Sequence, residues 1–341
     1  GGVGVMSVIQ FSFWKYALKP KTRIGSVATV AEREGALLRI KWPDELTGYG
    51  DLFSWPEFGD ADVTTQLFNL KSGRLSTGLE QTIHLARKDA QARAFNQNLM
   101  RGLPRVRNHF LIADPDAITE AELTEAKKLG FQSVKLKCGS QIDKELELAV
   151  RLVKQKGFLL RLDFNGKATP ADIEKFKHEF PEGLRSKIEF IEDPFPFVHE
   201  LWQEASELAP LAVDQEYVRV PWADYSESKP PPFKVIVLKP ARQDMVKARE
   251  FAHRFRLKIV VTSSLDHPVG IMHAAAACGD MKRLYPNMVL DSGCFSHTAY
   301  EPDRFSQMMS PKGPFLAEVA GSGVGFDQIL KELPWTDLRS L

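Results

Sequence analysis

From about residue 107 the chain repeats one unit: a short apolar strand followed by a helical pattern. Eight strand candidates occur in order, "HFLIAD", "SVKLKC", "FLLRLDFN", "KIEFIEDP", "LAVDQE", "FKVIVLKP", "KIVVTSS" and "MVLDSG". Helix patterns such as "TEAELTEAKKLG", "DKELELAVRLVKQKG" and "RQDMVKAREFAHRF" lie between them. Near-continuous apolar strands alternating with helices require a parallel sheet covered on its faces. Eight successive units fit a closed β/α barrel better than an open sheet. The expectation is an α/β protein with a (β/α)7β barrel over residues 107–295.

The first hundred residues have another texture. "VIQFSFWKYAL" and "GALLRIKW" read as antiparallel strands joined by the polar segment "KPKTRIGSVATVAERE". "GYGDLFSWPEFG" reads as a connecting loop. "DADVTTQLFNLKSG" and "STGLEQTIHLARKDAQARAFNQNLM" read as helices, the second capped at Ser76–Thr77. Residues 1–106 are therefore expected to form an α+β capping domain. Residues 296–341 lack the strand–helix rhythm and are expected to return to it. The long polar segment is the expected lid over the barrel mouth.

Polar residues fall in a pattern within the barrel units. The second strand ends in Lys135 and Lys137, the third in Arg161, Asp163 and Asn165, the fourth in Glu192, the fifth in Asp214 and the sixth in Lys239. The seventh supplies Ser263 and Ser264, and the eighth Asp291. Residues two apart on a strand face the same side. One such residue per unit places the set on one rim, where barrel enzymes carry their chemistry. Three carboxylates on neighbouring strand ends repel one another unless a cation intervenes. An all-oxygen set without His or Cys favours Mg²⁺, or Mn²⁺, over zinc. Lysines on the second and sixth strands would flank that cation. Repulsion between Lys135 and Lys137, with partial burial, is expected to lower the pKa of one and free an amine as a base. Any one of these residues alone would be an ordinary solvated strand end. The order Lys-x-Lys, Asp-x-Asn, Glu, Asp, Lys is what carries the reading.

That order resembles the enolase superfamily, in its muconate-lactonizing branch, and within it most closely the o-succinylbenzoate synthases of menaquinone biosynthesis. The resemblance covers nearly the whole chain, and "GYGDLFSWPEFG" is similar to that family's Gly-x-Gly-[Glu/Asp] string. It implies Lys137 as the base that removes the proton α to a carboxylate, with Lys135 its companion and Lys239 on the opposite face. It implies Asp163, Glu192 and Asp214 as ligands of Mg²⁺. It also implies a lyase, a hydro-lyase that expels water from a small-molecule carboxylate. At the fifth strand Gln215 follows Asp214 and Glu216 comes next, so both acids face the same side and either is open as the third ligand. Arg161 is a candidate for the substrate's second anionic arm or for a structural ion pair. Asn165, Ser263, Ser264 and Gly293 are further candidates for substrate contact. Lysine rather than Asp at the sixth strand removes the His–Asp dyad of mandelate racemases, so His267 has no such partner. Two alternatives use the same site: racemisation or epimerisation of an N-acylamino acid or dipeptide, and muconate cycloisomerisation. A non-catalytic barrel would not be expected to keep all these groups.

Composition excludes other classes. The formal net charge of +1 provides no field for nucleic acid or an anionic membrane. No apolar run approaches the ~18 residues of a membrane span. Three widely spaced cysteines form neither a disulfide framework nor a zinc site, which is expected of a cytoplasmic protein. "GGVGVM" lacks the basic and apolar regions of a signal peptide, and Met6 is a candidate start. No oligomeric state is read from the sequence.

Overall fold

The computed structural model describes residues 9–22, 24 and 31–341. Seven residues of the expected lid, Arg23 and residues 25–30, and the opening "GGVGVM" lie outside the described residues.

Two sheets organise the chain. The first is antiparallel, in the order β11-β1-β2-β3. It contains β1 (Gln10–Leu18), β2 (Arg33–Lys41), β3 (Thr47–Phe53) and, from the far end of the chain, β11 (Thr336–Asp337). The last strand pairs Thr336 with Phe13, so the tail returns to the first sheet. Helices Val63–Lys71 and Thr77–Ala94 cover it. Their N-terminal amides are capped by Asp62, accepting from Thr65 N, and by Ser76, accepting from Leu79 N. Half of the string expected to be a connecting loop, residues 48–53, in fact belongs to β3, and the rest is the expected connection. Its glycines mark close approach rather than a break in structure. A Cβ at Gly48 would come 2.0 Å from the Ala86 carbonyl oxygen of the covering helix.

The second sheet has seven parallel strands in sequence order, from β4 (Phe110–Ile112), β5 (Ser133–Lys137), β6 (Leu159–Asp163) and β7 (Ile188–Glu192) to β8 (Leu211–Val213), β9 (Val235–Leu238) and β10 (Lys258–Val261). The eighth element forms isolated parallel bridges in place of a regular strand. Val289 and Gly293 pair with Ile259 and Thr262 on one side, and Ser292 pairs with Asn108 on the other. That segment closes the barrel between β10 and the start of β4. Between β8 and β9 the α-helix of the repeat is replaced by two 3₁₀ turns, Gln215–Arg219 and Trp222–Asp224. Trp222 stacks on Phe251 there at 4.2 Å.

The alternation of each strand decides what it buries. Val134, Leu136, Leu160, Leu162, Ile236 and Leu238 pack outward into the core under the helices. The other face turns into the barrel. Phe190, Ala212, Val235, Val237 and Val260 fill its floor, and the charged residues of the strand ends stand above them. Each fully buried Leu or Val contributes roughly 1.5–3 kcal/mol, which is how this framework tolerates charged groups in its interior. Among the described residues no helix is long and apolar enough to cross a membrane.

Candidate active site

The strand registers bring the predicted residues together. Lys137 is aligned with Asp163 across β5 and β6, and Asp163 with Glu192 across β6 and β7. Lys137 Nζ donates to Asp163 Oδ2 at 2.6 Å. Lys135 Nζ lies 3.1 Å from Glu192 Oε1 and 3.4 Å from Asp163 Oδ2, so one ammonium stands between two carboxylates. On the other side of the mouth Lys239 Nζ donates to Asp214 Oδ2. Lys135, Lys137, Asp214 and Lys239 line one pocket, together with Asn165, Ser263, Ser264 and Gly293. Asp163 and Glu192 are buried beneath the lysines.

The electrostatics follow from this pairing. Burial pushes the Asp163 carboxyl up, but Lys137 and Lys135 outweigh it and hold the group below the usual carboxylate range. Asp214 is likewise lowered against its burial, by Lys239 and then Lys135. Burial opposes the Lys135 charge, but Glu192, Asp163 and Asp214 raise its pKa well above the ordinary lysine value. Lys135 is therefore not the lysine whose pKa the pair lowers, because three carboxylates surround it. Glu192 goes the other way: burial and then the Asp163 charge push it up to about 8. Its Oε1 is buried and meets Lys135 as an ion pair without accepting a hydrogen bond.

Glu192, Asp193 and Asp214 each present a carboxylate oxygen within 4.8 Å of one another, all buried. A buried set of hard oxygen donors, one of them a Glu192 oxygen that accepts no hydrogen bond, fits a divalent cation. The grouping differs from the expected one in containing Asp193, while Asp163 is engaged by Lys137. Asp193 has φ 42°, a conformation uncommon outside glycine, and accepts from the backbone amides of Asp214 (3.0 Å) and Gln215 (2.7 Å). It thereby fixes the turn that presents Asp214. The two open candidates at the fifth strand part company. Asp214 faces the pocket, whereas Glu216 accepts from Phe197 N at 2.6 Å and from Arg219.

Arg161 is a correction. It is 0% exposed and does not line the pocket. It lies one layer deeper, donating to Glu189, to the Asp291 carbonyl at 2.9 Å and to His109 Nδ1 at 2.9 Å. It is a structural ion pair and cannot reach a substrate arm in this arrangement. Asp291 offers its backbone there and not its side chain. His267 caps helix Pro268–Leu284, its Nδ1 accepting from Val269 N at 3.0 Å, and is packed between Tyr16 and Phe305.

Three pocket groups are new relative to the strand-end pattern. Trp55 forms part of the roof, its indole N–H donating to the Ser264 carbonyl at 2.7 Å, with Arg33 stacked 4.4 Å from the ring centre. The aromatic string "SWPEF" is its only signal in the sequence. Arg242, three residues past Lys239, forms a bidentate pair with Asp60 at 2.7 Å and ties the cap to the barrel. His109 lies on the wall at the start of the first strand.

Residues 11–92 match the family model "O-succinylbenzoate synthase, N-terminal domain". Over 332 residues the chain is 38% identical to an o-succinylbenzoate synthase of Bdellovibrio bacteriovorus, a match covering 97% of this chain and 99% of that relative. Its fold is similar to that of an L-Ala-D/L-Glu epimerase from Bacillus subtilis, with TM-score 0.71, 15% identity and 93% and 98% of the two chains covered. It is also similar to a muconate lactonizing enzyme from Pseudomonas fluorescens, with TM-score 0.70, 17% identity and 93% and 96% covered.

Proposed function

The chain belongs to the o-succinylbenzoate synthase family of the enolase superfamily, and from that premise we propose that it is the Mg²⁺-dependent hydro-lyase that converts 2-succinyl-6-hydroxy-2,4-cyclohexadiene-1-carboxylate to 2-succinylbenzoate and water in menaquinone biosynthesis. The observation that carries this reading is the pair of lysines, Lys137 and Lys239, four strands apart, facing one pocket with a strand-end carboxylate against each.

Asp163, Glu192 and Asp214 would hold the cation, with Asp193 bracing the last of them. When bound, Mg²⁺ supplies positive charge to the substrate carboxylate and to the negative charge that develops beside it. Lys137 takes the α-proton at Nζ. The electrons of the broken C–H bond form the new ring double bond as the C–O bond to the hydroxyl breaks. The leaving hydroxide recovers the proton from Lys137 and departs as water. Lys135 stays charged, pinned by its carboxylates, and Lys137, at the pocket end of the same strand, is the amine that meets the α-proton. Lys239 holds an ammonium against the developing negative charge from the other face. Trp55 and the rest of the cap roof shield the reacting centre from water. Aromatisation of the ring drives the step. A cytoplasmic setting is supported by three cysteines that are all buried and free.

The test is the absorbance of the cyclohexadiene substrate. It should disappear on adding protein and Mg²⁺, and persist when EDTA is present. No loss of absorbance, combined with racemisation of an N-acylamino acid or epimerisation of a dipeptide, would replace this reading with the epimerase chemistry of the structural neighbours.

A further inference from the structure

One polar wall of the pocket takes no part in that chemistry. The His109 ring lines the pocket beside Lys135 and Gly293. A Cβ at position 293 would come 2.6 Å from His109 Cε1 and 2.9 Å from Nε2, so glycine is what leaves that edge of the ring uncovered. The opposite edge is fixed, because Nδ1 is 2.9 Å from Arg161 Nη1. A guanidinium has only donors. Nδ1 is therefore the acceptor, and a neutral ring must carry its single proton on Nε2. The ring is neutral because burial, and then Arg161, Lys135 and Lys137, hold its pKa well below the ordinary histidine value.

Arg161 cannot swing to relax this arrangement. It donates to Glu189 and to the Asp291 carbonyl, and its guanidinium stacks 4.9 Å from the centre of the Phe190 ring. Among the described residues no protein group accepts from His109 Nε2. The residue is 4% exposed, and its exposure is to the pocket, so the oxygen of a bound ligand is positioned to accept from Nε2.

We propose that His109 Nε2–H is a substrate-binding donor, locked in that tautomer by the Glu189–Arg161 chain and aimed past Gly293 at an oxygen of the bound dicarboxylate. The inference rests on the reading above that such a dicarboxylate is the ligand. Arg161 thereby becomes a positioning residue that acts through His109.

The experiment has two arms, both on the full chain with Mg²⁺. Long-range ¹H–¹⁵N spectra of the unaltered protein should show His109 with Nε2 protonated and Nδ1 bare, and saturating 2-succinylbenzoate should move the Nε2 resonance. In the second arm His109→Phe keeps the ring volume and removes the donor. Kd for 2-succinylbenzoate and KM should rise about tenfold, the loss of one well-placed hydrogen bond, with a smaller change in kcat. An Nδ1–H tautomer, an Nε2 resonance unmoved by ligand, or an unchanged Kd in His109→Phe would each overturn the proposal. Should His109→Phe fail to fold, the spectra of the unaltered protein decide alone. If the unaltered protein binds no 2-succinylbenzoate by calorimetry, the functional reading itself has failed and this proposal falls with it.

Discussion

Two clusters of buried carboxyl groups lie where the cap meets the barrel, and they are neutralised by different means. In the pocket, Asp163 and Asp214 are each paired with a lysine and are held in their charged form. At the junction a few residues away, Asp51 of β3 and Asp266 after β10 crowd each other. A Cβ at Gly270 would come 2.6 Å from Oδ2 of Asp51 and 2.3 Å from Oδ2 of Asp266. Among the described residues neither has a lysine or arginine bonded to it. Asp51 accepts from the Tyr16 hydroxyl and from His267 N at 3.0 Å, and Asp266 from Ser264 N at 3.0 Å. Burial and then the neighbouring Asp266 raise Asp51 well above the carboxylate range, while burial raises Asp266 to about 6. The residue type is the same in both places, but in one a mobile ammonium supplies the compensating charge and in the other a proton does. Ammonium groups can be turned over to a substrate when a cation takes their place. A shared proton within a packed joint serves only to hold two domains together.

The strongest way to break this contrast is to remove the ammonium groups. Lys137→Ala and Lys239→Ala should each lower kcat by at least about 10²–10³-fold, the usual loss for one positioned electrostatic group. They should differ in proton exchange. With an unreactive carboxylate analogue in deuterated solvent, Lys137→Ala should abolish exchange at the α-carbon, and Lys239→Ala should leave a trace. Exchange by Lys137→Ala equal to that of the unaltered protein would make Lys239 the base.

A second test sharpens the pocket side alone. Titrating Mg²⁺ by calorimetry, Asp163→Asn, Glu192→Gln and Asp214→Asn should lose measurable affinity. Asp193→Asn keeps one acceptor of two and should weaken binding roughly 10–100-fold, as groups that orient a ligand do. Glu216→Gln should bind Mg²⁺ as before, since its carboxylate serves Phe197 N and Arg219. Lost affinity in Glu216→Gln with none lost in Asp214→Asn would exchange the two.

What the sequence made legible, and what it hid, follows the same division. Lys137, Asp163, Glu192 and Lys239 could be read because each ends a strand and the strands recur with a fixed rhythm, so position along the chain translates directly into position on the rim. Asp193 could not, because "EDP" looks like a turn; the turn is real, and its strained φ is what points the side chain at the Asp214 amide. Arg161 shares a strand face with Asp163, and parity alone does not say that it lies a layer below the pocket. His109 stands just before its strand, and its role depends on Arg161 and Gly293, both far off in sequence. β3 was hidden because Gly48 and Gly50 resemble breakers, whereas they are required by the helix packed on them. The Asp51–Asp266 joint combines residues from both domains, which no local pattern can bring together.

The smallest effect tests the junction. Asp266 has a folded pKa of about 6 against roughly 3.9 in an unfolded chain. The folded protein therefore holds a proton that the unfolded one has released. For a carboxyl group raised in this way, the stability penalty is absent below the unfolded value, grows as pH rises between the two, and is complete above the folded one. About two pKa units correspond to at most about 2–3 kcal/mol, shared with Asp51 because the two titrate as a pair. Other groups facing Asp266 are Arg242 and Lys239, which moderate its shift, and Tyr16 and Tyr300, which burial keeps protonated. Asp266→Asn retains an acceptor for Ser264 N but carries no charge. Its Tm should exceed that of the unaltered protein by a few degrees at pH 8, with the difference shrinking through pH 6 and gone by about pH 4. Thermal melts across that range decide the matter. Parallel curves, or a variant less stable at pH 8, would mean that the junction holds Asp266 charged, and the contrast with the lysine-paired acids of the pocket would be lost.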